Sequence, residues 1–356
     1  MQKLGNWVCL AAFAIVLMSC QNSPEELLKT AKGKPEEILI IMDTVLRNSK
    51  VGEAIDSIFQ EKIPGLLQSE PRYKCIFIKP FVFQEGLREY GNIVTVAMLN
   101  ATTPEGLYML NLFSENTLTK IRQDTSLFLH QGKDEYAKGQ HLLHIFGMDE
   151  EVLAQQLLAN KTKIQDYFDK IVREKTAKLL FEERNTTLEK EIFQEHQLNL
   201  KIPIGFLLAK SEKKDKEGFI WIRQMDKRFD RSVIIHYEPY RSKSQFLADS
   251  VLALRDSICK QHLYEDPARP HTFLVTERLL PPDVQPVNLN NRYALQLRGM
   301  WRTNHLSMGG AFISFVWVHE KSGTLYYTEG FLYAPGSTKR DLLRELEVML
   351  WNVVRE

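Results

Sequence analysis

The chain has 356 residues, 44% of them apolar and 26% charged, a balance that excludes a disordered polyelectrolyte and gives enough length for one large domain or two modest ones. Its 46 basic side chains nearly cancel 45 acidic ones, so it lacks the cationic excess that displaces counterions from phosphates, and a nucleic-acid partner is not expected. The local cluster "KKDK" at 213–216 carries its own acid and lies between two apolar runs, the pattern of a solvated hairpin tip.

The first element in chain order is an apolar run at 7–17, preceded by Lys3. About eleven residues are too few for a bilayer-spanning helix, which takes roughly twenty, and the pattern is that of the core of a secretion signal. The run leads into "LMSC", with Leu17 three positions before Cys20 and the small Ser19 directly before it. These residues resemble the lipobox of bacterial lipoproteins. The resemblance implies that residues 1–19 are a signal peptide cut before Cys20, and that Cys20 carries diacylglycerol and, on its new amine, a fatty acyl chain such as palmitate. Two or more such chains anchor a protein stably, because each buried CH₂ contributes about 0.8 kcal/mol. No later segment reaches eighteen uninterrupted apolar residues, so the rest is expected outside the hydrocarbon. With Cys20, the polar, proline-containing stretch at 21–37 suits a tether over residues 20–37.

Residues 38–150 read as an N-terminal α+β region. "EILIIMD" at 37–43 is a compact apolar run of the buried-strand kind; Ala54, Ile55, Ile58 and Phe59 recur at helical spacing; "YKCIFIKPFVF", "NIVTVAML" and the pair "TSLFLHQG" and "GQHLLHIFG" read as strands. Residues 151–198 read as a helical connector of two long amphipathic helices, broken near "RNTT" at 184–187. Residues 199–356 return to strands, with a helix on which Leu247, Val251, Leu254 and Ile258 share a face. A hairpin turning at Gly323 follows, then a last helix stacking Leu342, Leu346, Met349 and Val353 for which Ser337 is the expected N-cap. The fold class is α+β, mainly antiparallel sheets covered by amphipathic helices, with a long helical segment in the middle. Cys75 and Cys259, the cysteines left after Cys9 and Cys20, are expected to be unpaired thiols.

Reactive motifs are missing from the sequence. There is no G-x-S-x-G elbow and no phosphate loop, and "VHEKSG" lacks the second histidine of a zinc-protease helix. His141 and His144 would point to opposite faces of a strand, so no metal and no cofactor are expected. Asp43 and Glu329 stand out no more than their neighbours. The most unusual stretch is "LRGMWRTNHLSMGGAF" at 297–312, where Arg298, Trp301, Arg302 and His305 combine cationic and aromatic groups ahead of Gly309 and Gly310. These six are the candidate binding residues, against the alternative of a core strand and a turn.

"IPGLLQSEPRY", "FIWIRQ", "YEPYRSKSQFLADSVLALRDSI", "RGMWRTNHLSMGGAF" and "GFLYAPGSTKR" together resemble a family of Bacteroidetes envelope lipoproteins catalogued only as a domain of unknown function. Its most specific part is the spacing of Gly299, Trp301, Met308, Gly309, Gly310 and Phe312, with Ala311 where the family often has proline. The resemblance implies a cell-envelope lipoprotein, with the outer membrane favoured, and supplies no catalytic residues. The leading expectation is a non-enzymatic module binding an envelope protein or glycan partner. The alternative is an envelope hydrolase or transferase acting on cell-wall or surface glycan, and a third option is a small-ligand carrier. A carboxylate pair in a cleft, a flat aromatic patch or a closed apolar pocket would tell these apart.

Overall fold

The computed structural model describes residues 28–264, 266 and 268–355. The expected signal peptide, Cys20 and the first part of the tether lie outside the described residues. The end of the tether does not stand free: Ala31 donates its N–H to the Lys138 carbonyl at 2.9 Å and Gly91 donates to the Lys32 carbonyl at 2.8 Å.

The first half is a five-stranded sheet of β1 (Glu37–Met42), β2 (Lys74–Ile78), β3 (Asn92–Met98), β4 (Leu129–Lys133) and β5 (His141–Gly147), in the order β2-β1-β3-β5-β4. The links β1/β2, β1/β3 and β3/β5 are parallel, and only β4/β5 is antiparallel. Parallel strands are buried on both faces, which is why "ILIIM" is apolar without alternation. One face is covered by α2 (Lys50–Phe59), α6 (Glu150–Ala159) and α7 (Lys161–Leu180). The other is covered by α4 (Pro104–Leu110) and α5 (Glu115–Gln123), with the short helices α1 (Thr44–Arg47) and α3 (Glu85–Arg88) at the edges. Side-chain caps start several of these helices: Asp43, Ser49, Thr103, Ser114 and Asp149 each accept a first-turn N–H.

The helical segment holds three helices rather than two, because Asn160 ends α6 and α7 begins at once; α8 (Thr186–His196) follows, capped by Asn185 within the expected break. Helices α6 and α7 bury their apolar faces in the first half, whereas Leu188 and Ile192 of α8 join the core of the second.

The second half is an eight-stranded, wholly antiparallel sheet. It contains β7 (Leu207–Lys214), β8 (Glu217–Met225), β9 (Asp230–Pro239), β10 (Leu274–Thr276), β11 (Asp283–Leu289), β12 (Arg292–Thr303), β13 (Gly309–His319) and β14 (Thr324–Tyr333). The order is β10-β12-β13-β14-β9-β8-β7, with β11 also on β12, and a small ribbon pairs β6 (Leu198–Asn199) with β15 (Val354–Arg355). Helix α9 (Ala248–His262) covers one face, α8 and α10 (Arg340–Trp351) the other. The expected tips at "KKDK" and Gly323 are both turns, with Asp215 and Gly323 in the left-handed region. Cys75 and Cys259 are free thiols, and burial pushes each up to about 12.

Ser337 does not cap α10. The carboxylate of Glu70, from the first half, accepts the N–H of Lys339 at 2.7 Å and of Arg340 at 2.9 Å. Glu70 is 9% exposed and sits where the helix dipole favours an anion. Glu70→Ala is therefore expected to lower stability by about 1–2 kcal/mol, read as a drop in the denaturant midpoint at unchanged slope. An unchanged midpoint would show that water caps the helix equally well.

Candidate functional site

The two halves meet along a seam between α7 on one side and α10, β11 and β12 on the other. The approach is close at Gly65 (φ +77°), where a Cβ would lie 2.7 Å from the Gly299 amide nitrogen. Helix α7 turns Ile164, Phe168, Ile171 and Val172 into its own core, which leaves Asp166, Asp169, Lys170 and Arg173 on the side facing the second half.

At the bottom of the seam the charges form a network that crosses between the halves at Asp169 and Arg344. Asp169 accepts from Arg72 at 3.0 Å and from Arg344 at 3.2 Å, and its Oδ1 lies 2.8 Å from the Tyr73 hydroxyl. Arg298 lies 3.0 Å from Glu347, Arg344 3.5 Å from the same carboxylate, and Lys161 2.6 Å from Glu61. Burial alone would raise the Asp169 and Glu347 carboxyls, but Arg344 with Arg72, and Arg298 with Arg344, hold them below the usual range. Asp166 moves the other way, raised by burial and by its neighbour Asp169. These groups floor a cleft of about 660 Å³.

The cleft opens into a wider groove of about 1210 Å³ running past α8 to β6 and β15, and Lys170, Arg173, Asn288 and Trp351 line both. Arg173 places its guanidinium 3.7 Å over the Trp351 ring, and burial lowers its pKa. The far wall is the β11–β12 turn, where Asn290 and Asn291 take left-handed φ of 53° and 64°, as a two-residue hairpin turn requires.

Of the six residues expected from sequence, only Arg298 reaches this cleft. Strand alternation sends Arg298 toward α10 and Trp301 into the core under α9, where it is 3% exposed. Arg302 pairs with Glu277 at 3.1 Å, and His305 is exposed in the loop between β12 and β13. Gly309 and Gly310 admit neighbouring backbone: a Cβ on Gly310 would collide with the Leu332 carbonyl. Of the other two residues noted, Asp43 caps α1 and Glu329 is fully buried against Arg255. Apart from Arg298, nothing in the sequence singles out the seam residues. Their one local signal is the Asn-Asn pair of the hairpin turn; the cations of α7 and α10 read as solvated helix faces.

A smaller cavity of about 240 Å³ in the first half contains Thr95, His144 and Glu135. Thr95 Oγ1 is 2.8 Å from His144 Nδ1 and Glu135 Oε1 is 2.9 Å from Nε2, the order of a hydroxyl, a base and an acid. Thr95 is only 2% exposed, midway along a strand paired on both sides, so its backbone offers no spare N–H to an oxyanion. The trio is a satisfied polar network within the sheet. His141 and His144 fall on opposite faces of β5, as alternation requires.

Two family models match, one to each half. Residues 31–181 match a domain of unknown function (DUF8532) and residues 185–352 match another (DUF4837), so the models meet in the loop between α7 and α8. No curated protein matches the chain. Among solved structures, a mutant of the protein Mog1 is similar over 44% of this chain and 89% of its own, at 11% identity and a TM-score of 0.28, too little shared geometry to carry a functional argument.

Proposed function

We propose that the chain is a lipid-anchored envelope protein, held at the outer membrane through acyl chains on Cys20, whose two-part body is a binding module with its ligand site in the seam. The lipobox-like "LMSC" supports the anchor, and no helix among the described residues is long and apolar enough to cross a membrane. The resemblance to Bacteroidetes envelope lipoproteins supports the compartment. The observation that carries the binding reading is the continuous groove between the halves, the kind of place where proteins hold ligands.

A hydrolytic reading has one observation in its favour. Asp166 and Asp169 stand one helical turn apart in the cleft, with their pKa values pushed in opposite directions, as an acid and a nucleophile would be. Against it, Asp169 is already engaged by Tyr73, Arg72 and Arg344, which leaves it a counter-ion rather than a group aimed at a substrate.

The test is photo-crosslinking in living cells from positions 190 and 193 in the groove, with position 158 on α6 as control. A discrete adduct from the groove alone is the expected outcome, along with loss of membrane retention in Cys20→Ala. Equal labelling from position 158 would remove the groove from consideration, and retention of Cys20→Ala would remove the anchor.

A further inference from the structure

Building on the groove as ligand site, we infer that its occupant is an acidic glycan, with its carboxylates or sulfates set against Arg173, Lys190 and Lys201 and its hydroxyls against the asparagines of the rim.

Charge is the first ground. The wide part of the groove is lined by five cations, Lys170, Arg173, Arg184, Lys190 and Lys201, and two carboxylates. Glu189 is consumed by Arg184 and by the Ile202 N–H at 2.8 Å, and Glu174 lies 4.0 Å from Lys170. Arg173, Lys190 and Lys201 form no ion pair among the described residues. In a chain whose formal net charge is only +1, that surplus is local, and a groove with low-dielectric walls concentrates its field. Arg173 is the anchor. Stacked on Trp351 and already partly stripped of water, it gives up little further hydration on meeting an anion.

The rim supplies the second ground. Asn290 donates to the Trp351 carbonyl and Asn352 to the Val348 carbonyl, each at 2.7 Å, while Asn288 accepts the Asn291 N–H at 2.7 Å. Each amide is thus fixed by one half and presents the other: acceptors on Asn290 and Asn352, a donor on Asn288. A phosphate-rich ligand uses donors alone, whereas sugar hydroxyls need both. Phe193, 37% exposed, adds a flat apolar face of the kind a pyranose ring covers.

Calorimetry on the full-length protein in detergent decides the class, with oligogalacturonate, a sulfated heparin oligosaccharide, neutral maltooligosaccharide and polyglutamate as probes. An acidic oligosaccharide should bind at about 50 mM salt and weaken markedly by about 200 mM. Lys190→Gln with Lys201→Gln should lower its affinity about tenfold at unchanged Tm, and the uronate and heparin arms show which anion is preferred. Equal affinity for the maltooligosaccharide or for polyglutamate, or no binding of either acidic oligosaccharide, would overturn the acidic-glycan class while in-cell groove adducts kept the groove reading alive. Acidic-glycan binding indifferent to the double variant would put that ligand elsewhere on the protein and overturn the inference, while the in-cell adducts still decide the groove reading.

Discussion

Glu329→Gln is expected to destabilise the second half by about 3–5 kcal/mol. Glu329 on β14 and Arg255 on α9 are both 0% exposed and form two parallel bonds of 2.8 Å, from Nε to Oε2 and from Nη2 to Oε1. The surroundings complete the pair. Tyr327 donates its hydroxyl to Glu329, Arg255 donates to Thr276 Oγ1 at 3.0 Å, and the guanidinium lies 4.0 Å over the Phe312 ring. The glutamine keeps the shape and removes the charge, so the guanidinium loses its bonded counter-ion and keeps only the Asp256 carboxylate, 3.9 Å away. Arg255→Met should lose as much, for the mirror-image reason. The triple change Arg255→Met, Tyr327→Phe and Glu329→Leu leaves no orphan among these three and is expected to recover most of the loss, since the pair's net worth is small beside the penalty for breaking it. Thr276 keeps its bond to Asp256 at 2.5 Å throughout. Chemical denaturation followed through the second half's transition measures all three. A single-variant loss below about 1 kcal/mol would mean that water reaches the cluster and that the pair is not sealed.

The same cluster shows what a sequence conceals. Arg255 sits in "ALRDSI", which reads as a helix with a solvated charge, and Glu329 in "YYTEGF", which reads as an alternating strand; their contact spans 74 residues. Wherever neighbours along the chain determine the structure, legibility was high. The apolar run of β1, the tips at 213–216 and Gly323, the break before Thr186 and the stripe of α10 all follow from local pattern. Where the partner is distant, the pattern is silent. The start of α10 is fixed by Glu70, 269 positions away, so a nearby serine was the only visible candidate. The parallel pairing of β1 with β3 joins strands separated by three α-helices and a third strand. The α6–α7 break hides because the apolar period continues past Asn160. The seam is the extreme case: Arg344 meets Asp169 over 175 residues, and each alone is an unremarkable surface charge. Conversely, the residues clustered at 298–310 are neighbours in sequence that a strand separates, because alternate side chains leave on opposite faces.

That separation makes a sharp expectation for Trp301. Trp301→Ala should lower stability by about 3–5 kcal/mol without touching ligand capture, whereas Arg302→Ala should leave the unfolding midpoint nearly where it was. The indole is buried, meets Phe331 edge-on at 5.8 Å, and donates its Nε1–H to the Leu332 carbonyl at 3.2 Å across the intervening strand β13. That bond explains the second glycine. Gly310 is the register partner of Trp301, and a Cβ there would lie 1.9 Å from the same carbonyl oxygen and 3.0 Å from the indole nitrogen. Tryptophan and glycine are one packing solution, so Gly310→Ala should also be destabilising. Trp301→Phe, which keeps the aromatic contact and loses the donor, should fall between alanine and the native residue, because the Leu332 carbonyl still has its strand neighbours. Arg302 stands on the other face, its bond to Glu277 only half-buried, where an ion pair contributes little. Loss of capture in a Trp301→Ala protein that still melts at the native temperature would return the 298–310 segment to the binding site and displace the groove between the halves.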